Sequence, residues 1–483
     1  MKDQTKNNNT KLPSLALSLI PVGTLLTAIV SVIITQGSEA ALSVSHYILF
    51  GAAVLAAILA LVFTGRTCKQ LLQGLIKSAK QTMPAIPVLL SIATVSASWM
   101  MSGVVPTLIV YGLEILNPML FLFLTCSICA IVSVLSGTSW TTIATIGVAF
   151  IGIGSVMGYE PGWIAGAIIS GAYFGDKVSP LSDSTVLAST SCGVEMFTHI
   201  KYMMITTVPS MTISLLVFLA YGLFSSPQPM IEQHDIIVHL QSTFNISPWP
   251  LLIPLITCTL IIFRVKPLMT LIISTSLGII GMFIFQPQIV ASIDNNGFLA
   301  VIKVLFTSTS IDTGDEMLNS LVATGGMEGM MPTIYLVLCA MTFGGMLLGS
   351  GMIAAITKAF TRRLHSIRSI VTTTVGSGLF FNACTGDQYL SIILGGNVYK
   401  KLYRDNGLET RLLSRTLEDS VSVTSVLIPW NSCGVTQATV LGVATLTYLP
   451  YCIFNYLSPI MSIIVAYIGY KIVRQPQEDY TAN

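Results

Sequence analysis

Eight stretches of the 483-residue chain, 13–36, 45–64, 82–103, 203–224, 248–264, 267–286, 332–350 and 449–472, are apolar almost throughout. A bilayer's hydrocarbon core is roughly 30 Å thick and is crossed by about 20 apolar residues of helix. Each stretch therefore reads as a spanning helix. A soluble domain carries about 25% charged residues, whereas this chain has 9%, with 53% hydrophobic residues and a mean hydropathy of +0.78. A soluble globule, a disordered chain and a coiled coil are excluded, and a net charge of +2 gives no footing for nucleic acid. The expected fold class is an all-α polytopic membrane protein. The first span follows the polar tail MKDQTKNNNTK and is too long for a signal-peptide core, so it is read as retained. The nine cysteines fall mostly in apolar stretches and are expected to pack as small hydrophobes, including the closely spaced Cys126 and Cys129.

Charge segregation orients the chain, because cytoplasmic loops of membrane proteins are enriched in Lys and Arg. With Lys2, Lys6 and Lys11 placed inside, alternate connections carry Arg66, Lys69, Lys77 and Lys80, then Lys201, then Arg264 and Lys266. Lys358, Arg362, Arg363 and Arg368 follow, then Lys400, Lys401, Arg404, Arg411 and Arg415, and last Lys471 and Arg474. Of 23 basic residues only Lys177 and Lys303 fall elsewhere. The opposite loops hold mostly acids: Glu39, Glu160, Glu232, Asp235, Asp312, Asp315, Glu316 and Glu328. Both tails, 1–12 and 473–483, are expected in the cytoplasm, with an even number of crossings.

Two apolar pairs read differently. Residues 369–384 and 387–399 are flanked by basic clusters at both ends, and arms of this length reach only about 20–24 Å at 1.5 Å per residue. They predict a re-entrant hairpin over 369–399, entered from the cytoplasm, with Cys384-Thr385-Gly386-Asp387 at its tip. Residues 119–157 form a similar pair around Ser136-Gly137-Thr138-Ser139, and there both a hairpin and two full spans stay open. An internal repeat connects the two. MPAIPVLLSIATVSASWMMSG (83–103) aligns with MPTIYLVLCAMTFGGMLLGSG (331–351) at an offset of 248, which also relates the two tips. Asp176-Lys177-Val178-Ser179 matches Asp419-Ser420-Val421-Ser422 at an offset of 243. The first copy starts inside and the second outside. The expectation is two inverted repeats, 13–224 and 248–472, each of five spans plus a hairpin and containing a broken helix (161–193 and 411–446), joined by an external linker, 225–247. Inverted repeats are the architecture of secondary transporters, with the binding site near the midplane.

Ionisable groups inside these repeats mark the candidate site, since each costs about 2.5–3.5 kcal/mol at a helix centre on insertion scales. Asp176, Lys177 and Asp183 follow the first hairpin, Glu418 and Asp419 the second, and Asp387 lies at a tip. Gly162, Gly166, Gly171 and Gly175 permit close helix approach, and Pro180 in GDKVSPLSDSTVLASTS breaks the helix that follows. EDSVSVTSVLIPWNSCG repeats the plan around Pro429, Trp430, Asn431 and Ser432. Hard cations take oxygen ligands, and both segments are dense in them. The candidates for ion or substrate binding are the carboxylates of Asp176, Asp183, Asp387 and Asp419, with Thr138, Ser139, Ser184, Thr185, Asn382, Thr385 and Asn431 as neutral contributors. Asp183 and Asp387 are the candidates to hold Na+. Structural readings compete: Thr385 and Asp387 as helix caps, Asp176 locked to Lys177, Trp430 as packing, and Glu114 and Glu195 as solvated interface residues. His46, His199, His234, His239 and His365 fall near loops and suggest no histidine relay.

At GTSWTTIATIGVAF (137–150), GAYFGDKVSPLSDSTVLAS (171–189), FNACTGDQYLSIILGG (381–396) and LEDSVSVTSVLIPWNSCGVTQATV (417–440), the sequence resembles the NhaC family of sodium/proton antiporters. GDKVSPLSDS is the most specific part of a resemblance that runs over nearly the whole chain. The family is similar in plan to the wider ion-transporter superfamily, in which hairpins and broken helices form a mobile transport domain beside a dimeric scaffold. The resemblance implies exchange of Na+ for H+ across a bacterial cytoplasmic membrane, by a homodimer in lipid and without a cofactor. Relatives that exchange malate for lactate supply the alternative, a Na+/H+-coupled organic-acid exchanger with Lys177 as counter-charge. An enzyme is not expected. The GxGD form of an intramembrane aspartyl protease fails at Tyr173, and no HExxH, GxSxG or GxxxxGK[ST] occurs.

Overall fold

A computed structural model describes residues 12–225, 233–314, 316–362, 364 and 366–472. The expected tails, apart from Leu12, and part of the linker lie outside the described residues. In chain order the helices of the first half are α1 (Leu15–Gln36), α2 (Ser38–Phe63), α3 (Cys68–Thr82), α4 (Ala85–Met101), α5 (Val104–Ile115), α6 (Phe121–Ser136), α7 (Ser139–Thr142), α8 (Val148–Val156), α9 (Pro161–Val178), α10 (Asp183–Cys192) and α11 (Met196–Phe224). The second half holds α12 (Gln233–Thr243), α13 (Leu252–Ile262), α14 (Pro267–Phe285), α15 (Pro287–Ile293), α16 (Gly297–Phe306), α17 (Glu316–Val322), α18 (Gly326–Gly329), α19 (Met331–Ser350) and α20 (Met352–Phe360). It closes with α21 (Ile367–Thr385), α22 (Gln388–Asp405), α23 (Thr410–Leu417), α24 (Ser432–Leu441), α25 (Thr445–Tyr448) and α26 (Ile453–Ile468). Among the described residues, eight helices are long and apolar enough to cross a membrane, or up to ten if each of two bent pairs is one span. The chain is a multi-pass helical membrane protein. Residues 225–247, read as a linker, contain α12.

Left-handed glycine turns recur at matching places in the two halves of the chain. Gly103 joins α4 to α5 at φ 80°, and Gly351 joins α19 to α20 at φ 79°, at the expected offset of 248. At the tips the register differs from the sequence alignment by one residue. Gly137 (φ 69°) closes α6 and Gly386 (φ 65°) closes α21. The next residues, Thr138 and Asp387, are both extended, at φ −151° and −145°. Thr138 is thus the counterpart of Asp387, and the offset is 249. Glycine alone takes the left-handed turn without a Cβ penalty, so the turn sets the register, not the surrounding side chains.

The helices on either side of Gly386 are 19 and 18 residues long, longer than the expected arms 369–384 and 387–399. Helix α21 begins in the basic segment at Ile367, and α22 runs on through Lys400, Lys401 and Arg404 to Asp405. A Ser366 capping box starts α21 and an Asp387 cap starts α22, satisfying backbone N–H groups that have no partner within the helix. The breaks differ in width. Helix α9 stops at Val178 and α10 begins at Asp183, whereas α23 passes into a π-turn over Glu418–Ser422 and irregular chain before α24 begins at Ser432.

Small residues bring these elements close. A Cβ on Gly171 would lie 2.1 Å from the Cys126 carbonyl oxygen, and one on Gly175 would lie 2.5 Å from that of Ala130. Helix α9 therefore packs directly on the backbone of α6. Gly74 of α3 meets the Gly345 carbonyl of α19 in the same way, at 2.4 Å. Gly171→Val is expected to force α6 from α9 and to remove most folded protein, read as loss of the monodisperse peak in detergent. Gly376→Ala, with nothing within 4 Å of the added carbon, is expected to leave that peak intact.

Candidate ion-binding site

The turns at Gly137 and Gly386 each meet the helix break that follows them in the chain. Gly137 abuts Leu181, where an added Cβ would sit 2.6 Å from the Leu181 Cβ. The Ser432 amide donates to the Gly386 carbonyl at 2.8 Å. Between the tips lies a cavity of about 390 Å3 whose lining includes Thr138, Asp176, Asp183, Ser184 and Asp387. Gln81 and Pro84, at the α3–α4 junction, and Arg264 and Lys266, between α13 and α14, line it as well. Arg264 and Lys266 are exposed and form the mouth.

Three carboxylates enter this space by different routes. Asp176, half-buried in the last turn of α9, accepts from Ser139 Oγ at 2.7 Å and from Ser182 Oγ at 2.5 Å. Both its oxygens have donors. Asp183 is the first residue of α10 and is exposed; a negative charge there is stabilised by the helix dipole. Asp387 is buried, and one of its oxygens accepts from the Leu390 amide at 2.8 Å. It is both a helix cap and a cavity residue. The three do not converge on one point: among the described residues no group of three or more His, Cys, Asp or Glu side chains could hold a metal ion.

The other expected residues sit behind this lining. Thr185 donates to the Lys177 carbonyl at 3.0 Å, tying α10 to the end of α9. Asn382 donates to the Val421 carbonyl at 2.7 Å, and Asn431 donates to the Asn382 carbonyl at 3.2 Å. Thr385 bonds to the Asp387 carbonyl and to Ser391. These side chains hold the second tip against the second break. Trp430 donates to the Ala383 carbonyl at 2.8 Å and does the same work.

Asp419 is placed differently from Asp176. It is fully buried away from the cavity lining, ion-paired with Lys177, and it accepts from Thr206 at 2.9 Å and Ser458 at 3.1 Å. Arg415 Nε is 3.8 Å away. Lys177 thus pairs with Asp419 and not with its neighbour Asp176, because adjacent helical residues do not face each other. His199, expected near a loop, is fully buried, with Nδ1 2.9 Å from Ser414 Oγ, since α23 covers the first turn of α11. One acid outside the set of expected site residues joins the site: Glu418, fully buried, accepts from Ser184 Oγ at 3.0 Å. Ser184 in turn lies 3.0 Å from Ser182, whose hydroxyl donates to Asp176, so two adjacent serines face the two acids.

The family model for the Na+/H+ antiporter family matches residues 5–194 and 171–470. The chain belongs to the Na+/H+ antiporter family. Both matched segments include 171–194, the stretch that carries Asp176 and Asp183. Over 402 residues the chain is 38% identical to the Na(+)/H(+) antiporter NhaC of Alkalihalophilus pseudofirmus, covering 83% of this chain and 86% of that protein. It is 35% identical to the NhaC of Bacillus subtilis over 429 residues, 88% of this chain and 92% of that one. A third relative, the malate-2H(+)/Na(+)-lactate antiporter of Bacillus subtilis, is 33% identical over 464 residues, 95% of this chain and 96% of its own length.

Proposed function

We propose that the protein exchanges Na+ for H+ across the cytoplasmic membrane, with the cavity as its cytoplasm-facing vestibule. The observation that carries this reading is the meeting of Asp176, Asp183 and Asp387 in one cavity between the hairpin tips and the breaks. A bare carboxylate is costly to carry through the membrane. The site therefore crosses when a proton or Na+ neutralises it, and competition between the two makes the exchange obligatory. Asp183 and Asp387 hold Na+ in turn with Thr138 and Ser184. The mouth at Arg264 and Lys266 belongs to the side that the charge distribution assigns to the cytoplasm, along with both termini. The opposite route runs between α4, α18 and α24, beside a smaller pocket of about 100 Å3. In this conformation Thr333 and Thr439, hydrogen-bonded at 2.5 Å, hold α19 to α24.

Exchange of an organic acid finds less support. Lys177, the counter-charge it would use, is consumed by Asp419 away from the cavity. Purified protein in liposomes, with internal pH recorded while Na+, K+, malate and lactate are added separately, tests the choice. Na+ alone is expected to drive proton movement, and a strict requirement for malate or lactate would overturn the reading. Ser139→Ala and Ser182→Ala each remove a donor from Asp176. A hydrogen bond to a charged group contributes about 1.5–3 kcal/mol, so each change is expected to raise the half-saturating Na+ concentration by roughly tenfold or more.

A further inference from the structure

We propose that the Gln437 carboxamide is a ligand for the transported cation on the outer side of the barrier that closes the cavity. The inference rests on the exchange reading above and adds to it a site of neutral oxygens, separate from the carboxylates. It starts from a buried amide with nothing to bond. Gln437 is fully buried on α24, and neither its Oε1 nor its Nε2 has a hydrogen-bond partner among the described residues. Burying an amide without partners is costly, and a leucine would occupy the place without that cost. Polar groups left in this state inside a folded protein point to a role beyond packing.

The place of Gln437 along α24 identifies the ligand. Ser432, the first residue of that helix, lines the cavity of about 390 Å3, whereas Thr439 and Val440, near its other end, line the outer pocket of about 100 Å3. At 1.5 Å per residue, Gln437 stands about 7–8 Å beyond Ser432 and about 3–5 Å short of the outer pocket. Residues three and four apart share a helix face, so Cys433, Gln437 and Val440 form one line from the inner space to the outer. Contacts fix the inner end of this line: Trp140 of the cavity wall and Tyr173 of α9 both neighbour the Cys433 thiol. The Tyr173 hydroxyl is also buried without a partner among the described residues, one turn from Asp176 on the same side of α9. A phenol and a carboxamide oxygen therefore stand between the carboxylates and the outer pocket. Hard cations take such oxygens as ligands, and neither group gains or loses a proton near neutral pH. The pair thus distinguishes Na+ from H+, which the carboxylates alone do not. Opening of the Thr333–Thr439 hydrogen bond brings the outer pocket within one turn of the Gln437 amide.

The test compares Gln437→Leu and Tyr173→Phe with the wild-type protein in vesicles of known orientation, with Na+ or Li+ added to one face at a time. In Gln437→Leu the half-saturating Na+ concentration at the outer face is expected to rise about fivefold or more. The factor should be the same at every pH, because the amide does not titrate, and the change at the cytoplasmic face should be smaller. The preference between Na+ and Li+ should shift as well. The melting temperature should equal or exceed that of the wild type, since the substitution removes an unpaired buried amide. Tyr173→Phe, which keeps the ring and removes one oxygen, should change the Na+ dependence in the same direction, and it decides the matter if Gln437→Leu yields no folded protein. A purely structural amide gives the opposite combination, a lower melting temperature with wild-type Na+ dependence at both faces. That result overturns the proposal, as does an unchanged Na+ dependence in a variant that melts like the wild type. Failure of the exchange reading shows separately, as an absence of Na+-driven proton movement in the wild-type protein.

Discussion

Asp387→Asn is expected to abolish Na+-driven proton movement while leaving the protein folded. Asparagine is as good a helix cap as aspartate, so the start of α22 keeps the bond now made to the Leu390 amide. What is lost is the charge, and with it the ability to alternate between proton and cation. The expected fall is about 100-fold or more in Na+-dependent rate, equivalent to roughly 2.7 kcal/mol, with an unchanged elution profile in detergent. Asp387→Ala loses the cap as well and should lower thermal stability in addition, by about 1 kcal/mol. Wild-type exchange in Asp387→Asn would show that the second tip contributes structure alone.

Lys177→Met is expected to lower stability strongly. It leaves Asp419 buried beside the Thr206 and Ser458 hydroxyls without its lysine. Breaking a buried pair by removing one partner costs about 3–5 kcal/mol. Replacing both members by apolar residues is often nearly neutral. The double variant Lys177→Met/Asp419→Leu should therefore melt above the single one, by a margin reduced because buried Arg415, 3.8 Å from Asp419, loses its carboxylate as well. Because neither residue lines the cavity, the double variant, once folded, should retain Na+-driven proton movement. A well-folded double variant without transport would return Asp419 to the ion pathway.

The membrane class and the positions of the spans were legible because apolar runs of spanning length have few other solutions. The tips and breaks were legible through Gly137, Gly386, Pro180 and Pro429, whose backbone preferences punctuate an apolar sequence. Asp176, Asp183 and Asp387 could be placed together on that basis. The pairing of Lys177 with Asp419 could not. It depends on which way each side chain points on a broken helix, and the π-turn at Glu418–Ser422 inserts a residue that shifts that phase. The same turn brings Glu418 within hydrogen-bonding distance of Ser184 and sends Asp419 to the opposite side. The one-residue difference at the tips has another origin: the offset of 248 set by 83–103 and 331–351 puts Thr385 against Gly137, but only Gly386 takes the left-handed turn. Gln388, Trp140 and Tyr389 carried no pattern of their own and joined the cavity only through the packing of α7 and α22.

That Na+ and protons contend for the same carboxylates is tested most directly by adding NaCl to purified, weakly buffered protein containing a pH indicator. The account predicts proton release in proportion to Na+ bound, a half-saturating Na+ concentration that rises as pH falls, and no release from the Asp176→Asn/Asp387→Asn double variant. Saturable Na+ binding with no release of protons at any pH would contradict it.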